Sequence, residues 1–600
     1  MDAASAVLDA LDPEQQEVAL AARGPVCVLA GAGTGKTRAV AHRIAYAVAT
    51  GVVDPARVLA VTFTTRAAGE LRGRLRLLGS QALRGEGLER VQARTFHAAA
   101  LRQLTHFWPL AVGGPAPQVL DSKAGLVAEA ARRLRLPLSP AEMRDAAGEI
   151  EWAKVTGVRP GEYPQAAAKA GRTPPAGPHP LARLYETYEG LCRQRHLIDF
   201  ESVLELTAAI LSEHPEAASA VRDRYGYFVV DEYQDVNPLQ KLLLDAWLGD
   251  RDDVCVVGDP RQTIYSFAGA TPSYLTGFAA EYPGATVIRL VRNYRSTPQV
   301  VTLANRLGGV LGAGRPGSGV PGRRPGGDLL VAQRRTGPEP EFAEYGHEAA
   351  EAAAVARRAA ALIRSGTPAR QVAVLVRTNA QMLPFEQALA SAGVPFLVRG
   401  TERFFDRPEV RQAAGLVRAA ARSASADEEP SAQVRAVLSG IGLTAEPPSG
   451  RGRARERWES LEALAQFADD FFAASPRATL ADLAAEIAAR GDSGEAPVMD
   501  GVTLASLHAA KGLEWDVVFL AGLSDGTLPI VYAQTGEAVE EERRLLYVGI
   551  TRARDRVCLS WAAARSADGP RTRRPSRFLA EIRPRRRLLA PGAAGSGAGR

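Results

Sequence analysis

Residues 26–48 read VCVLAGAGTGKTRAVAHRIAYAV: an apolar run of five, three glycines within the next five positions, then a stretch with helical spacing. A chain that passes from strand to helix through so small a loop is committed to a parallel sheet, because the next parallel strand is reached only by crossing over that helix. The pattern recurs. Further apolar runs fall at 58–63, 91–95, 226–231, 254–258 and 286–291, and again at 371–378, 502–508, 515–523 and 556–561. Runs that are apolar throughout, rather than alternating, mark strands buried on both faces.

The spacing predicts an α/β fold of two parallel-sheet lobes, one from 1–100 with 196–285 and the other from 286–410 with 500–582. Ala-rich segments with helical spacing at 101–195 and 411–499 read as mainly helical insertions in the first and second lobe. The stretch GGVLGAGRPGSGVPGRRPGG, 308–327, is too rich in Gly and Pro for a helix or strand and reads as a loop or linker. Residues 583–600, basic and then Gly/Ala-rich, read as a disordered tail. A chain of 600 residues exceeds one core in any case. Its formal charge of +6 is a mild lean toward anionic partners that a solvated surface would also explain. Four scattered cysteines without a C-x-x-C pair, two of them (Cys27 and Cys255) inside apolar runs, read as core thiols in a reducing compartment. The N-terminus lacks a signal pattern and no apolar run is long enough for a membrane helix, so the expected location is cytoplasmic, with no membrane partner.

The chemistry concentrates where predicted strands end. Backbone N–H groups of a loop such as Ala30, Gly31, Ala32, Gly33, Thr34 and Gly35 converge on phosphate oxygens at a helix N-terminus. Lys36 is placed for β- and γ-phosphates, and the Thr37 hydroxyl for Mg²⁺. Ala30 stands where the strict pattern has its first Gly; a small residue suffices there. The run at 227–230 ends on adjacent carboxylates: Asp231 is the candidate second Mg²⁺ ligand, and Glu232 the group that orients or deprotonates an attacking water. Asn237 and Pro238 read as the N-cap and first residue of a helix. In VVGDPRQTIYSFAGA (256–270), Gln262 is a candidate γ-phosphate sensor, and Tyr265 and Phe267 are either core aromatics or base-stacking ones.

The ordered segments LDPEQQ, AGAGTGKT, VTFTTRAA, TFHA, VVDEYQDVNPLQ, VGDPRQTIYSFAGA, VRNYRS, LHAAKGLEWDVVFLAG and EEERRLLYVGITRARD resemble the motifs of superfamily 1 helicases of the UvrD/Rep/PcrA type, over residues 11 to about 580. The resemblance implies two RecA-like lobes of a P-loop NTPase with ATP between them. It places Gln15 at the adenine edge, Arg38 and Tyr294 on the ring faces, Glu514 at the ribose, and Arg295 and Arg552 at the γ-phosphate. Arginines that complete such a site are worth roughly 10³–10⁵ in rate. It places Phe63, Thr95, His97, Tyr265, Phe267 and Phe578 on single-stranded DNA, where stacking contributes roughly 1–3 kcal/mol per base regardless of sequence. The expected activity is that of a DNA-stimulated ATPase and 3′→5′ DNA helicase in repair or recombination, acting on single-stranded and 3′-tailed duplex DNA with DNA-repair proteins as partners.

This sequence departs from the family pattern at Phe267-Ala268 (commonly Trp-Arg), Thr65-Arg66 (commonly Asn-Lys), Trp515 (commonly Phe) and Ile530 (often His), and its second insertion is short. Those departures leave open a translocase that displaces proteins and unwinds poorly by itself. A non-hydrolysing subunit of a helicase–nuclease complex ranks lower, because the catalytic motif positions are all filled.

Overall fold

A computed structural model describes residues 3–82, 87–313, 329–399, 408–422, 429–445, 453–475, 478–493, 501–531, 533–567 and 569–583. Six strands of the first sheet are β1 (Val26–Ala30), β2 (Val58–Thr62), β3 (Gln92–Thr95), β4 (Tyr227–Val230), β5 (Val254–Gly258) and β6 (Thr286–Leu290). They form one sheet in the order β3-β2-β4-β5-β1-β6, and every pairing in it is parallel.

Alternate side chains of these strands enter two different cores, as the pleat requires. Leu59, Val61, Phe228, Val230, Val254 and Val256 pack against helices Phe96–Ala111, Phe200–Glu213 and Pro238–Leu248. Val26, Val28, Val58, Ala60, Val229 and Val257 pack against helices Lys36–Ala49 and Thr65–Ala82. Both faces are therefore covered, which is why the strands read as unbroken apolar runs. Cys27 and Cys255 fall on opposite faces, buried in these cores.

The second sheet contains β7 (Glu341–His347), β8 (Val372–Val376), β9 (Phe396–Arg399), β10 (Val502–Ser506), β11 (Trp515–Leu520) and β12 (Ala553–Ala564), in the order β7-β12-β11-β8-β10-β9. β7 with β12, β12 with β11 and β11 with β8 are parallel. The expected pair of parallel α/β sheets is present.

The segment 101–195 contains helices Ala124–Arg133, Pro140–Val155, Tyr163–Lys169 and Pro178–Gln194 around their own core of Leu126, Ile150, Trp152, Tyr163, Leu184 and Tyr188. In 411–499, helices Pro430–Ser439, Arg453–Ala474 and Leu480–Ser493 join Pro408–Ala420 around Val417, Leu438, Leu461, Leu464 and Leu483. No helix among the described residues is long and apolar enough to cross a membrane.

Three expectations need correction. The boundary at 285/286 falls too early, because β6 pairs with β1 from Val26↔Thr286 to Ala30↔Leu290 and completes the first sheet as an edge strand. Among the described residues, Met1–Ser296, Leu330–Arg335 and Leu397–Thr503 pack as one unit, and Thr297–Leu329, Thr336–Phe396 and Leu504–Arg600 as the other. The second insertion thus interrupts the chain of the second sheet, between β9 and β10, yet packs with the first unit. Finally, helix Pro298–Ala313 runs through Gly308–Ala313. Each glycine costs about 1 kcal/mol in a helix, and burial of Leu303 and Leu307 earlier in the same helix offsets it. The rest of the Gly/Pro-rich stretch, from 314, and the tail from 584 lie outside the described residues.

Candidate active site

The phosphate-type loop joins β1 to helix Lys36–Ala49 at the carboxyl edge of the first sheet. Gly33 (φ 71°) and Gly35 (φ 80°) adopt the left-handed conformation that favours glycine. Space forbids a side chain there as well: a Cβ on Gly33 would lie 2.6 Å from the Arg295 Cβ, and one on Gly35 2.6 Å from Gln15 Nε2. The loop's carbonyls are all held. Thr34 Oγ1 donates to Gly31 O (2.9 Å), Asn293 Nδ2 to Ala32 O (2.6 Å), the Tyr294 N–H to Gly33 O (2.9 Å), and Gln15 Nε2 to Thr34 O (3.0 Å). Across a planar trans peptide the next N–H points opposite to its C=O. Anchoring carbonyls 31–34 therefore turns the N–H groups of 32–35 the other way, as an anion cradle requires.

Gln15 itself sits in helix Pro13–Leu20, started by Asp12, whose Oδ1 accepts the Gln15 N–H at 2.9 Å. Asp12 Oδ2 accepts the Tyr294 hydroxyl at 2.6 Å, and Glu14 Oε2 accepts the Val291 N–H at 2.8 Å. The segment after β6 is thereby tied to the loop, with Tyr294 44% exposed. Arg38 is exposed on the first turn of its helix and donates to Ala10 O; Thr37 is half-buried beside it.

The acidic pair follows β4. Asp231 is buried, and its Oδ1 accepts the Glu232 N–H at 2.9 Å. Glu232 has φ 52°, a left-handed backbone uncommon for a non-glycine residue, and places Oε1 3.2 Å from Lys36 Nζ. Burial and the neighbouring Glu232 push the Asp231 carboxyl up to about 6, against the pull of Lys36. Burial works against the charge on Lys36, but Glu232, Asp231 and Asp259 together raise its pKa. Asp259, one residue past β5, is also buried; Arg261 and Lys36 overcome that burial and hold its pKa low. Gln234 stitches the two strand ends together: it donates to Glu232, and its Oε1 accepts the Asp259 N–H at 3.0 Å. Gln262 Nε2 in turn donates to Asp259 Oδ2 at 3.0 Å.

The aromatic candidates in this unit share the same edge. Phe63 follows β2, half-buried against the core. Thr95 ends β3 and caps the next helix, accepting the Ala98 N–H at 3.2 Å. His97, its pKa lowered by burial, meets the Phe200 ring edge-on at 5.9 Å. Tyr265 and Phe267 follow β5 with ring centroids 6.1 Å apart, and Phe267 is 58% exposed. One edge of one sheet therefore carries the glycine loop and acids at β1, β4 and β5, and the aromatics after β2, β3 and β5.

The sequence matches the UvrD/REP helicase N-terminal domain over residues 11–283 and the UvrD-like helicase C-terminal domain over 288–428 and 428–564. It is 54% identical over 594 residues to the ATP-dependent DNA helicase UvrD2 of Mycobacterium tuberculosis (strain ATCC 25618 / H37Rv), covering 98% of this chain and 83% of that protein. The chain belongs to the UvrD-like helicase family. It is also 30% identical over 681 residues to UvrD1 of the same organism (96% of this chain, 86% of that one), and 29% identical over 660 residues to DNA helicase II of Escherichia coli (strain K12) (96% and 88%). It is a helicase enzyme, and its two parallel-sheet units are the RecA-like domains of that family.

The remaining expected residues of this helicase lie in the second unit. Arg552 is buried, with Nε donating to Val548 O (3.0 Å), Nη1 to Leu513 O (3.1 Å) and Nη2 to Thr551 Oγ1 (3.1 Å). Glu514 Oε1 accepts Arg554 Nη2 at 2.5 Å. Phe578 must be corrected: it is fully buried, with the Arg543 guanidinium 5.0 Å from its ring centroid, so it offers no face to a base and acts as a core residue.

Four residues that sequence reasoning passed over also shape the site. Gln234, Asp259 and Asn293 brace the acids and the loop, and Phe200 is 49% exposed beside His97. The available signal was a polar residue directly after an apolar run, which Asp259 shows after Val254–Gly258.

Proposed function

We propose that this helicase is driven by ATP hydrolysis at the carboxyl edge of the first sheet and moves 3′→5′ along single-stranded DNA, opening 3′-tailed duplexes during repair or recombination in the cytoplasm. The observation that carries the reading is Lys36 Nζ at 3.2 Å from Glu232 Oε1, at the mouth of a loop whose carbonyls are all anchored. A phosphate competes with the carboxylate for that ammonium. Nucleotide binding then draws Lys36 to the phosphates and leaves Glu232 to orient and deprotonate water.

Mg²⁺ is ordinarily held by one or two carboxylates together with substrate phosphates, and the residues fit. Asp231 is a carboxyl that burial and Glu232 raise to about 6, so a nearby cation would favour its charged form. Thr37 and Asp231 would hold the ion, which would neutralise charge on the phosphates. Gln15, Arg38 and Tyr294 would contact the base, Glu514 the ribose, and Arg295 and Arg552 the charge developing on the γ-phosphate. Gln262, bonded to Asp259, is three residues ahead of Tyr265, so a shift at the phosphate reaches the base-stacking loop through a short piece of backbone. Phe63, Thr95, His97, Tyr265 and Phe267 would grip the strand, with Phe200 beside them.

The test is strand displacement on duplexes with a 3′ or a 5′ single-stranded tail. The 3′-tailed substrate should open with ATP and the 5′-tailed one should not; the reverse preference would overturn the polarity. Protein displacement from single strands without duplex opening would favour the translocase reading, which the short second insertion supports.

A further inference from the structure

Arg172 stands a few residues beyond helix Tyr163–Lys169 of the first insertion, and its guanidinium is held from three sides. It sits over the Trp152 ring, 4.5 Å from the centroid. Nε and Nη2 donate to the two Glu149 oxygens at 2.8 and 2.9 Å, and Glu149 is itself fixed by the Tyr163 hydroxyl at 2.6 Å. The third arm, Nη1, reaches the main-chain carbonyl of Phe267 at 3.5 Å. A second contact lies close by. Gly269 has φ 87°, and a Cβ there would lie 2.9 Å from Val155 Cγ2, at the end of helix Pro140–Val155. The insertion therefore touches the loop that bears Tyr265 and Phe267 at two points.

Phe267 is 58% exposed, meets the Tyr265 ring edge-on at 6.1 Å, and sits in a three-residue 3₁₀ turn, Ser266–Ala268. A stacking surface that is ordered beforehand binds more tightly than one that must be ordered on binding. The geometry points to Arg172 as a positioning residue for single-stranded DNA: its carboxylate-anchored guanidinium holds the Phe267 carbonyl, and with it the base-stacking turn, against the first insertion. The inference rests on the stacking role proposed for Phe267. Only an arginine can fork a carboxylate, stack on an indole and keep an arm for a carbonyl.

The experiment is ATP hydrolysis by the full chain, titrated with oligo(dT). Arg172→Ala should raise the DNA concentration for half-maximal stimulation about tenfold, the lower range of one lost stacking contact, with hydrolysis in the absence of DNA unchanged. Arg172→Lys should not restore it. Phe267→Ala should raise the same concentration, and the double variant should be no weaker than Phe267→Ala alone. Half-saturation within twofold of the parent in Arg172→Ala, while Phe267→Ala moves it, would overturn the inference and leave the stacking role standing; so would full multiplication of the two effects. No effect from Phe267→Ala would remove the stacking role and the inference with it. Should Arg172→Ala fold poorly, Glu149→Gln decides the matter: a smaller rise in half-saturation is expected, and an unchanged value refutes the idea.

Discussion

Two lysines of the first unit face carboxylate pairs, and they do so in opposite ways. Lys154, in the first insertion, is buried and donates to Glu189 at 2.6 Å and Ser202 Oγ at 2.7 Å, with Asp199 Oδ1 at 3.0 Å. Asp199 also accepts the Ser202 N–H and the Tyr188 hydroxyl, each at 2.9 Å. Burial works against the charge on Asp199, yet Lys154 and Lys123 bring its pKa down to about 2. At the phosphate loop Lys36 makes a looser contact with Glu232 at 3.2 Å, and Asp231 is pushed up to about 6 instead. The residue types are the same, but in one set, here called closed, the lysines hold the buried Asp199 in its charged form. In the other, the open set, burial and Glu232 push Asp231 toward its neutral form despite Lys36. A closed set locks helices together. An open set has free energy left for an ion and a phosphate, which is what a catalytic edge needs.

Each side of this contrast is open to test. Glu232→Gln should lower turnover by about 10²–10⁴-fold, the usual worth of a general base, while a fluorescent nucleotide still binds. Hydrolysis within tenfold of the parent would make Glu232 as structural as Glu189. Lys154→Met should leave hydrolysis per folded molecule within about twofold but remove about 3–5 kcal/mol of stability, because it strands a buried carboxylate; a urea titration measures this, and a loss under about 1 kcal/mol would mean the network is not the lock described.

Asp199 should give the closed set a pH signature. Its folded pKa, about 2, lies below the unfolded value of about 3.9. The stability it contributes is therefore complete above about pH 4 and fades as pH falls toward 2. Asp199→Asn should flatten that part of the stability profile, and an unchanged acid limb would contradict the assignment. The smallest effect is expected at Asn237, whose Oδ1 accepts the Gln240 N–H at 2.9 Å just after the acidic pair. Asn237→Ala should cost about 1 kcal/mol, readable as a lower midpoint in thermal melts, with turnover retained.

What was legible in the sequence was local. Ten apolar runs located strands of the two sheets to within a few residues but missed Glu341–His347 and Phe396–Arg399. The glycine loop with its helix fell where expected, and Asn237-Pro238 started their helix with a full capping box. What was not legible depended on contacts far apart in the chain. Asn293 supports a carbonyl 261 residues earlier, and Gln234 reaches Asp259 across 25, so neither leaves a local pattern. β6 could not be assigned to the first sheet from its own residues, because an apolar strand suits either sheet; only its register with β1 decides. Phe578 illustrates the opposite error. Its position in the motif order suggested a base contact, whereas burial beneath Arg543 shows a core ring.

The central claim, that the open charge set at the carboxyl edge of the first sheet is the nucleotide site and the closed set is scaffold, is tested most directly by one assay. ATP hydrolysis at saturating single-stranded DNA is measured for Lys36→Ala beside Lys154→Met, at equal folded concentration. The account predicts a loss of at least about 10³-fold for Lys36→Ala and near-parent turnover for Lys154→Met. Hydrolysis that survives in Lys36→Ala, or that falls equally in both proteins, would contradict it.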